Sequence, residues 1–299
     1  MPRAPWLDIT RLIAMAMVAV QHVLSICDFP TPHLLFQLDL GQIGVAIFFA
    51  ISGFLALSPS PLNTRQWLFR RLLRIYIPYW ITVAGLLTAN AIAGYKPVST
   101  SLVISEFLGL AGWTHRGQLI GVHLWFISLL LFCYLLAALI RKFPALLPLT
   151  IIISIASLAA DAHFAQHTIA FLTGVTLSTN PHAIRPRYQI PIIAIASLAA
   201  YSIHPGFITI AVAIVAIGTQ FLPGSFSPAT ITKLARTSNL SYHFYLVHGP
   251  VYLATAKGLD KSLPATLIIG TIAAIAAALV LHKIETFIRT RFSKPTTNK

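Results

Sequence analysis

The sequence predicts an all-α fold: a polytopic membrane bundle of about ten transmembrane helices, with both termini in the cytoplasm. Three observations carry this. Hydrophobic residues make up 57% of the 299-residue chain and charged residues only 9%, and mean hydropathy is +0.79. A soluble domain needs roughly 25% charged residues to hydrate its surface, so this surface must face lipid. Apolar runs also recur along the chain at about the length a crossing requires, and Lys and Arg are unevenly shared between the loops that join them.

The same composition excludes disorder, a secreted disulfide scaffold and a soluble nucleic-acid binder. The two cysteines, Cys27 and Cys133, lie in or beside apolar runs and give no framework. A net charge of +14 fits basic cytoplasmic loops without any nucleic-acid partner.

Taken in order, the apolar segments bounded by charge, proline or glycine are 7–26, 41–57, 76–93, 122–140, 146–160, 168–179, 189–201, 207–221, 241–256 and 263–281. The sixth, seventh and eighth are short for a crossing of about 20 residues. The stretch 102–112 is shorter still and reads as re-entrant or interfacial. With the N-terminus inside, sixteen Lys and Arg fall on inner segments, beginning with Arg3 and ending with Lys294 and Lys299. Four fall outside (Lys96, Arg116, Lys257, Lys261), and Arg11 lies within the first helix. That bias supports an even number of crossings.

Asp8 and Arg11 interrupt the first apolar run and no small-residue cleavage site follows it, so it is not read as a removable signal. No fixed-period repeat or soluble domain is evident. Residues 1–292 read as one membrane domain and 293–299 as a short, disordered, basic cytoplasmic tail.

Ionisable groups inside spanning helices cost about 2.5–3.5 kcal/mol each on insertion scales, and so usually mark function or a partner. The first helix carries Asp8, Arg11 and His22. At 100° per residue all three share one stripe, with Asp8 and Arg11 placed to pair and His22 about 16 Å further toward the outside. An interfacial ion pair plus a buried, hydrogen-bonded histidine is the plainer reading.

Ser52-Gly53-Phe54-Leu55 in the second helix suits close helix contact. Arg70-Arg71-Leu72-Leu73-Arg74, entering the third, suits a phosphate-rich ligand through bidentate bonds, with lipid headgroups the plain alternative and the abundance of Arg over Lys leaning toward a specific anion. His123-Leu124-Trp125-Phe126 opens the fourth helix at its outer end, where belt aromatics are expected anyway. With Trp113, His115 and Arg116 it forms an outer polar and aromatic group. In Ser241-Tyr242-His243-Phe244-Tyr245-Leu246-Val247-His248, Ser241, Tyr245 and His248 share one helical face. They line a cavity or make bonds within the bundle. Glu285, in the last helix, is placed to pair with a nearby base.

No metal site is expected: His163 and His167 have i, i+4 spacing, with Asp161 beside them, but lack a convincing further ligand. There is no CxxC, Walker loop, dinucleotide fingerprint or GxSxG elbow. The matching broken helices of a transporter are also absent.

In order along the chain, these elements resemble the acyltransferase family 3 membrane proteins, which modify bacterial surface glycans. Arg11, ten residues and then His22 resemble the family's Arg-X10-His element. Ser52-Gly53-Phe54-Leu55 resembles its SGF(L) motif, and Arg71-Leu72-Leu73-Arg74 is similar to its RxxR segment. His123-Leu124-Trp125-Phe126 resembles the aromatic start of a later helix, and Ser241 to His248 resembles its SYxxYLxH stretch. Ile9 departs from the glycine that often follows the aspartate. The chain also ends soon after its last helix, where many relatives continue into a soluble domain. That implies transfer completed in the membrane domain or by a partner protein of glycan assembly.

The resemblance implies a multi-pass enzyme of the inner or plasma membrane, without a bound cofactor. It implies cytoplasmic acyl-CoA, with acetyl the default, as co-substrate, and a hydroxyl of a surface glycan or lipid-linked saccharide as acceptor. His22, with Arg11 and Asp8, is implied in catalysis, as general base or brief acyl carrier. Arg70, Arg71 and Arg74, with Ser52, Gly53 and Phe54, fall to the donor. His123, Trp125, Ser241, Tyr245 and His248 fall to the acceptor or the oxyanion. The competing expectation is a permease or exporter of a polar or anionic solute, lined by the same residues. A structural subunit of a glycan-assembly complex is a weaker third.

Overall fold

The computed structural model describes residues 5–32, 35–115, 117–162 and 164–292. Among these it holds twelve α-helices, several short 3-10 turns and no strand. The helices are α1 (Pro5–Ile26), α2 (Leu40–Ala56), α3 (Thr64–Ala93), α4 (Thr100–Leu108), α5 (Ala111–Thr114) and α6 (Trp125–Lys142). There follow α7 (Leu146–Ala159), α8 (Ala165–Thr179), α9 (Pro186–Ser202), α10 (Ile208–Gly218), α11 (Pro228–Gly258) and α12 (Leu263–Phe292). Arg3, Arg116, His163 and the expected tail 293–299 lie outside the described residues.

Every apolar segment read from the sequence coincides with a helix, and 102–112 becomes α4 and α5. Four spans, Pro5–Ile26, Thr64–Ala93, Val122–Lys142 and Leu263–Arg291, are long and apolar enough to cross a membrane. Leu40–Ala56, Leu146–Ala159 and Pro205–Phe221 are shorter apolar helices. Large apolar side chains stand exposed along α7 (Ile152, Ile153), α9 (Ile190, Ile195, Leu198) and α12 (Ile268, Ile272). Water would penalise so much apolar surface and lipid does not, so the chain is a membrane protein.

Three helices differ from the sequence reading in extent. α3 begins at Thr64 rather than 76, α11 at Pro228 rather than 241, and α12 runs to Phe292 rather than 281. The reason is physical. A span read from hydropathy stops where charge begins, but Arg, Lys and Gln are good helix formers and the backbone ladder continues through them. At 1.5 Å per residue the 30 residues of α3 make about 45 Å, well beyond a hydrocarbon core of about 30 Å. The arginines therefore sit on a helical extension, not on a turn.

The chain forms two compact units, with the division falling inside α3, α6 and α11. One unit is Met1–Arg70 with Leu129–Asn239, and the other is Arg71–Ser128 with Leu240–Lys299. In the first, α8 packs against α2, α10 and α7, and α1 against α2. Glycine makes this possible, since a Cβ on Gly44 would fall 2.6 Å from the carbonyl oxygen of Ala14 in α1. α2 starts at a capping box: Asp39 Oδ1 accepts from the Gln42 amide (2.7 Å), and Gln42 Oε1 accepts from the Asp39 amide (3.1 Å).

In the second unit, Ser99 caps α4 at its start, accepting from the Leu102 amide (3.2 Å). Gly109, at φ +70°, ends it in the left-handed region. The last carbonyls of α4 are then met by three aromatic donors from α3. Tyr79 Oη donates to the Glu106 carbonyl (2.7 Å), Trp80 Nε1 to that of Phe107 (2.8 Å), and Tyr76 Oη to that of Leu108 (2.8 Å). Helix ends leave such carbonyls without intrahelical partners; the Gly109 amide meets that of Glu106 (2.9 Å), and the α3 rings complete the closure at Phe107 and Leu108.

Candidate functional site

In the first unit, Asp8 is buried and sits 3.8 Å from Arg11 in the expected i, i+3 pair. Arg11 also donates to Ser238 Oγ on α11 (3.0 Å). This holds one end of the guanidinium and fixes the N-terminal part of the α1 stripe. His22, about three turns further along, is half-buried on the same helix. Beside it Gln21 is buried, and its Oε1 has no hydrogen-bond partner. A buried acceptor without a donor carries a desolvation cost. The sequence reading passed over Gln21, and a polar residue beside the candidate base was the available signal.

The Ser52-Gly53-Phe54 turn has a packing duty. A Cβ on Gly53 would fall 2.0 Å from the Phe171 carbonyl oxygen of α8, and Phe54 is only 2% exposed. Ser52 is half-buried. His167, the described member of the expected histidine pair, is buried with its ring stacked on Phe49 at 5.7 Å.

Arg70 and Arg74 are exposed and Arg71 is half-buried, all on α3. Within the second unit, Tyr242 Oη of α11 donates to the Ile75 carbonyl (3.0 Å), and Arg289 of α12 donates to that of Leu73 (3.4 Å). The turn bearing Arg71 and Arg74 is thus gripped by the α11 and α12 side chains.

The shared face of Ser241, Tyr245 and His248 is fully inside, at 4%, 5% and 1% exposure. His123 joins it. Tyr245 Oη donates to the His123 carbonyl, and His123 Nε2 lies 3.1 Å from the Leu246 carbonyl. The rings of His123 and His248 stand 5.1 Å apart. Gly249 admits the His123 ring, since a Cβ there would fall 2.7 Å from Nδ1. His248 Nδ1 is 2.7 Å from the Tyr245 carbonyl. A carbonyl only accepts, so Nδ1 carries the proton and Nε2 the lone pair. The same logic puts the His123 proton on Nε2. Trp125 is half-buried at the start of α6, its ring 6.5 Å from that of Phe126.

Glu106 is the residue that the sequence reading missed. It is fully buried at 0% exposure, with Oε1 accepting from the Ile120 amide (2.9 Å) and Oε2 3.1 Å from Tyr79 Oη, whose one proton it shares with the Glu106 carbonyl. It pins the segment leading to His123. Burial raises its carboxyl above the usual carboxylate range, and the bonds from Ile120 and Tyr79 pull partly the other way. Lys96 donates to the carbonyls of Gln118 (3.1 Å) and Leu119, and burial lowers its ammonium while Glu106 opposes. An acid alone in an otherwise apolar stretch was the signal. Glu285 does pair with bases, as expected: Arg289 NH2 is 2.7 Å from Oε1 and His243 Nε2 is 2.5 Å from Oε2.

Comparison with known proteins adds one positive finding. A family model described as an acyltransferase domain matches residues 4–283. No curated protein and no solved structure matches the chain.

Proposed function

The chain belongs to the acyltransferase family whose domain model spans residues 4–283, and from that premise we propose that this membrane acyltransferase moves an acyl group, acetyl by default, from cytoplasmic acyl-CoA to a hydroxyl of an extracytoplasmic or lipid-linked glycan. The family match over nearly the whole chain carries the reading. It also favours an enzyme over a permease. The proposed setting is an inner or plasma membrane crossed about ten times, with both termini in the cytoplasm.

In the proposed reaction the imidazole of His22 takes the proton of the acceptor hydroxyl as its oxygen attacks the thioester carbonyl. The C–S bond then breaks, and the departing thiolate recovers that proton from the imidazolium. A sugar hydroxyl is a weak acid, so a positioned base of pKa near neutrality contributes about 10²–10⁴-fold. Arg71 and Arg74, with Arg70, supply charge-assisted donors for the CoA phosphates. The Asp8–Arg11 pair at 3.8 Å orients α1. His123 and Trp125 are assigned to the acceptor. Ser241, Tyr245 and His248 are assigned to it or to the oxyanion.

The test is transfer itself. Membrane vesicles carrying the protein are given acyl-CoA labelled in its acyl group, and surface glycans from cells with and without the gene are compared by mass spectrometry. Loss of an acyl increment with the gene, and label entering glycan only in its presence, support the reading. Solute flux with no acyl-CoA consumed overturns it in favour of a transporter.

A further inference from the structure

The α11–α12 pair carries a second cluster that the acyl-transfer reading does not use. His243 comes from α11, while His282 and Glu285, three residues apart, share a face of α12. One ligand atom from each lies within 4.8 Å of the other two, and the imidazole rings stand 4.9 Å apart. Glu285 Oε2 faces both histidines, 2.5 Å from His243 Nε2 and 3.9 Å from His282 Nδ1. Its other oxygen, Oε1, is held by Arg289 at 2.7 Å.

A simple ion pair explains only half of this. Glu285 satisfies His243 and Arg289, but His282 Nδ1 is shielded from solvent and has no hydrogen-bond partner. At 3.9 Å from Oε2 it is too far for a hydrogen bond. That separation is close to the ~3.3 Å between two ligands of one tetrahedral ion with bonds of about 2.0 Å. His243 and Glu285 are themselves buried, at 5% and 6% exposure, where charged groups need strong compensation. Arg289 on the far oxygen orients the carboxylate, as outer partners of metal ligands do, and an ion at Oε2 would replace the hydrogen bond that now joins it to His243 Nε2 at 2.5 Å.

We propose that His243, His282 and Glu285 form a binding site for a zinc-class divalent ion that clasps α11 to α12. Two imidazoles and one carboxylate are a donor set for such borderline ions, with water completing the fourth position. The proposal is independent of the acyl-transfer reading, and its test needs no turnover.

Full-length protein purified in detergent is stripped with chelator, re-equilibrated with Zn²⁺ and measured by elemental mass spectrometry. A parallel titration uses Co²⁺ and its visible absorption. The expected result is about one ion per chain, with the intense band of a four-coordinate cobalt site. His282→Gln and Glu285→Gln should each weaken Zn²⁺ binding by at least about tenfold. Since His282 is half-exposed, its substitution leaves the core untouched, and a monodisperse elution profile verifies this. His204→Gln, which alters a histidine paired with Asp161 at 3.1 Å, serves as control and should bind as the parent does. Substoichiometric uptake without a cobalt band overturns the proposal, and so does equal uptake by His282→Gln.

Discussion

Gly53 and Gly174 let α2 and α8 meet backbone to backbone. A Cβ on the first would lie 2.0 Å from the Phe171 carbonyl oxygen, and one on the second 2.0 Å from that of Ala50. Neither obstacle is the end of a flexible side chain, so the helices themselves must separate. Gly53→Ala is expected to destabilise the protein by about 1–3 kcal/mol. A lowered melting temperature in detergent checks this, and an unchanged one would show that the crossing has slack.

His22→Ala should reduce acyl transfer by about 10²–10⁴-fold while the protein still inserts and elutes normally, because the side chain is half-buried rather than a core filler. Vesicle transfer assays beside gel filtration separate the two effects. Full activity in the variant removes His22 from the chemistry.

Arg71 and Arg74 are assigned to donor phosphates. Each charge-assisted bond is worth about 1.5–3 kcal/mol, so Arg71→Ala with Arg74→Ala should raise the KM for acyl-CoA about tenfold or more, with a smaller effect on kcat. Lysine at both positions restores charge without the planar fork and should recover only part. An unchanged KM would assign these residues to lipid headgroups instead.

Glu106 provides a pH prediction. Its folded-state carboxyl is raised chiefly by burial, so the folded protein holds this proton more tightly than the unfolded chain does. Its contribution to stability is therefore complete below the ordinary carboxylate range and is lost as pH rises through the raised value. Glu106→Gln keeps an acceptor for the Ile120 amide and removes the titration. Melting curves should show the parent losing stability over that rise relative to the variant. Parallel curves would mean that burial does not govern this group.

Much of the helical frame was legible, because apolar runs such as those of α1, α2 and α7 coincide with their helices to within two residues or so. The start of α3 and the end of α12 were not, since charge ends a hydropathy reading and not a hydrogen-bond ladder. The face shared by Ser241, Tyr245 and His248 followed from period alone. His123 was grouped with it only through the family resemblance, because 122 residues separate it from the Tyr245 hydroxyl, and no local pattern spans that distance. The same holds for His243 and Glu285, 42 residues apart. Only Glu285's need for a base could be read in advance.

The aromatic donors that α3 extends to the Glu106, Phe107 and Leu108 carbonyls make α4 a terminus that needs no hydration. A polypeptide can reverse direction in a dry setting only if its dangling acceptors are answered. Here the answer comes partly from the segment that turns, through the Gly109 and Leu110 amides on the Glu106 and Ser105 carbonyls, and partly from a neighbour. The place where the chain doubles back therefore depends on the spacing of Tyr76, Tyr79 and Trp80 as well as on the Gly109 cap. Losing one of these donors would loosen that end of α4, and with it the stretch that Glu106 ties toward His123.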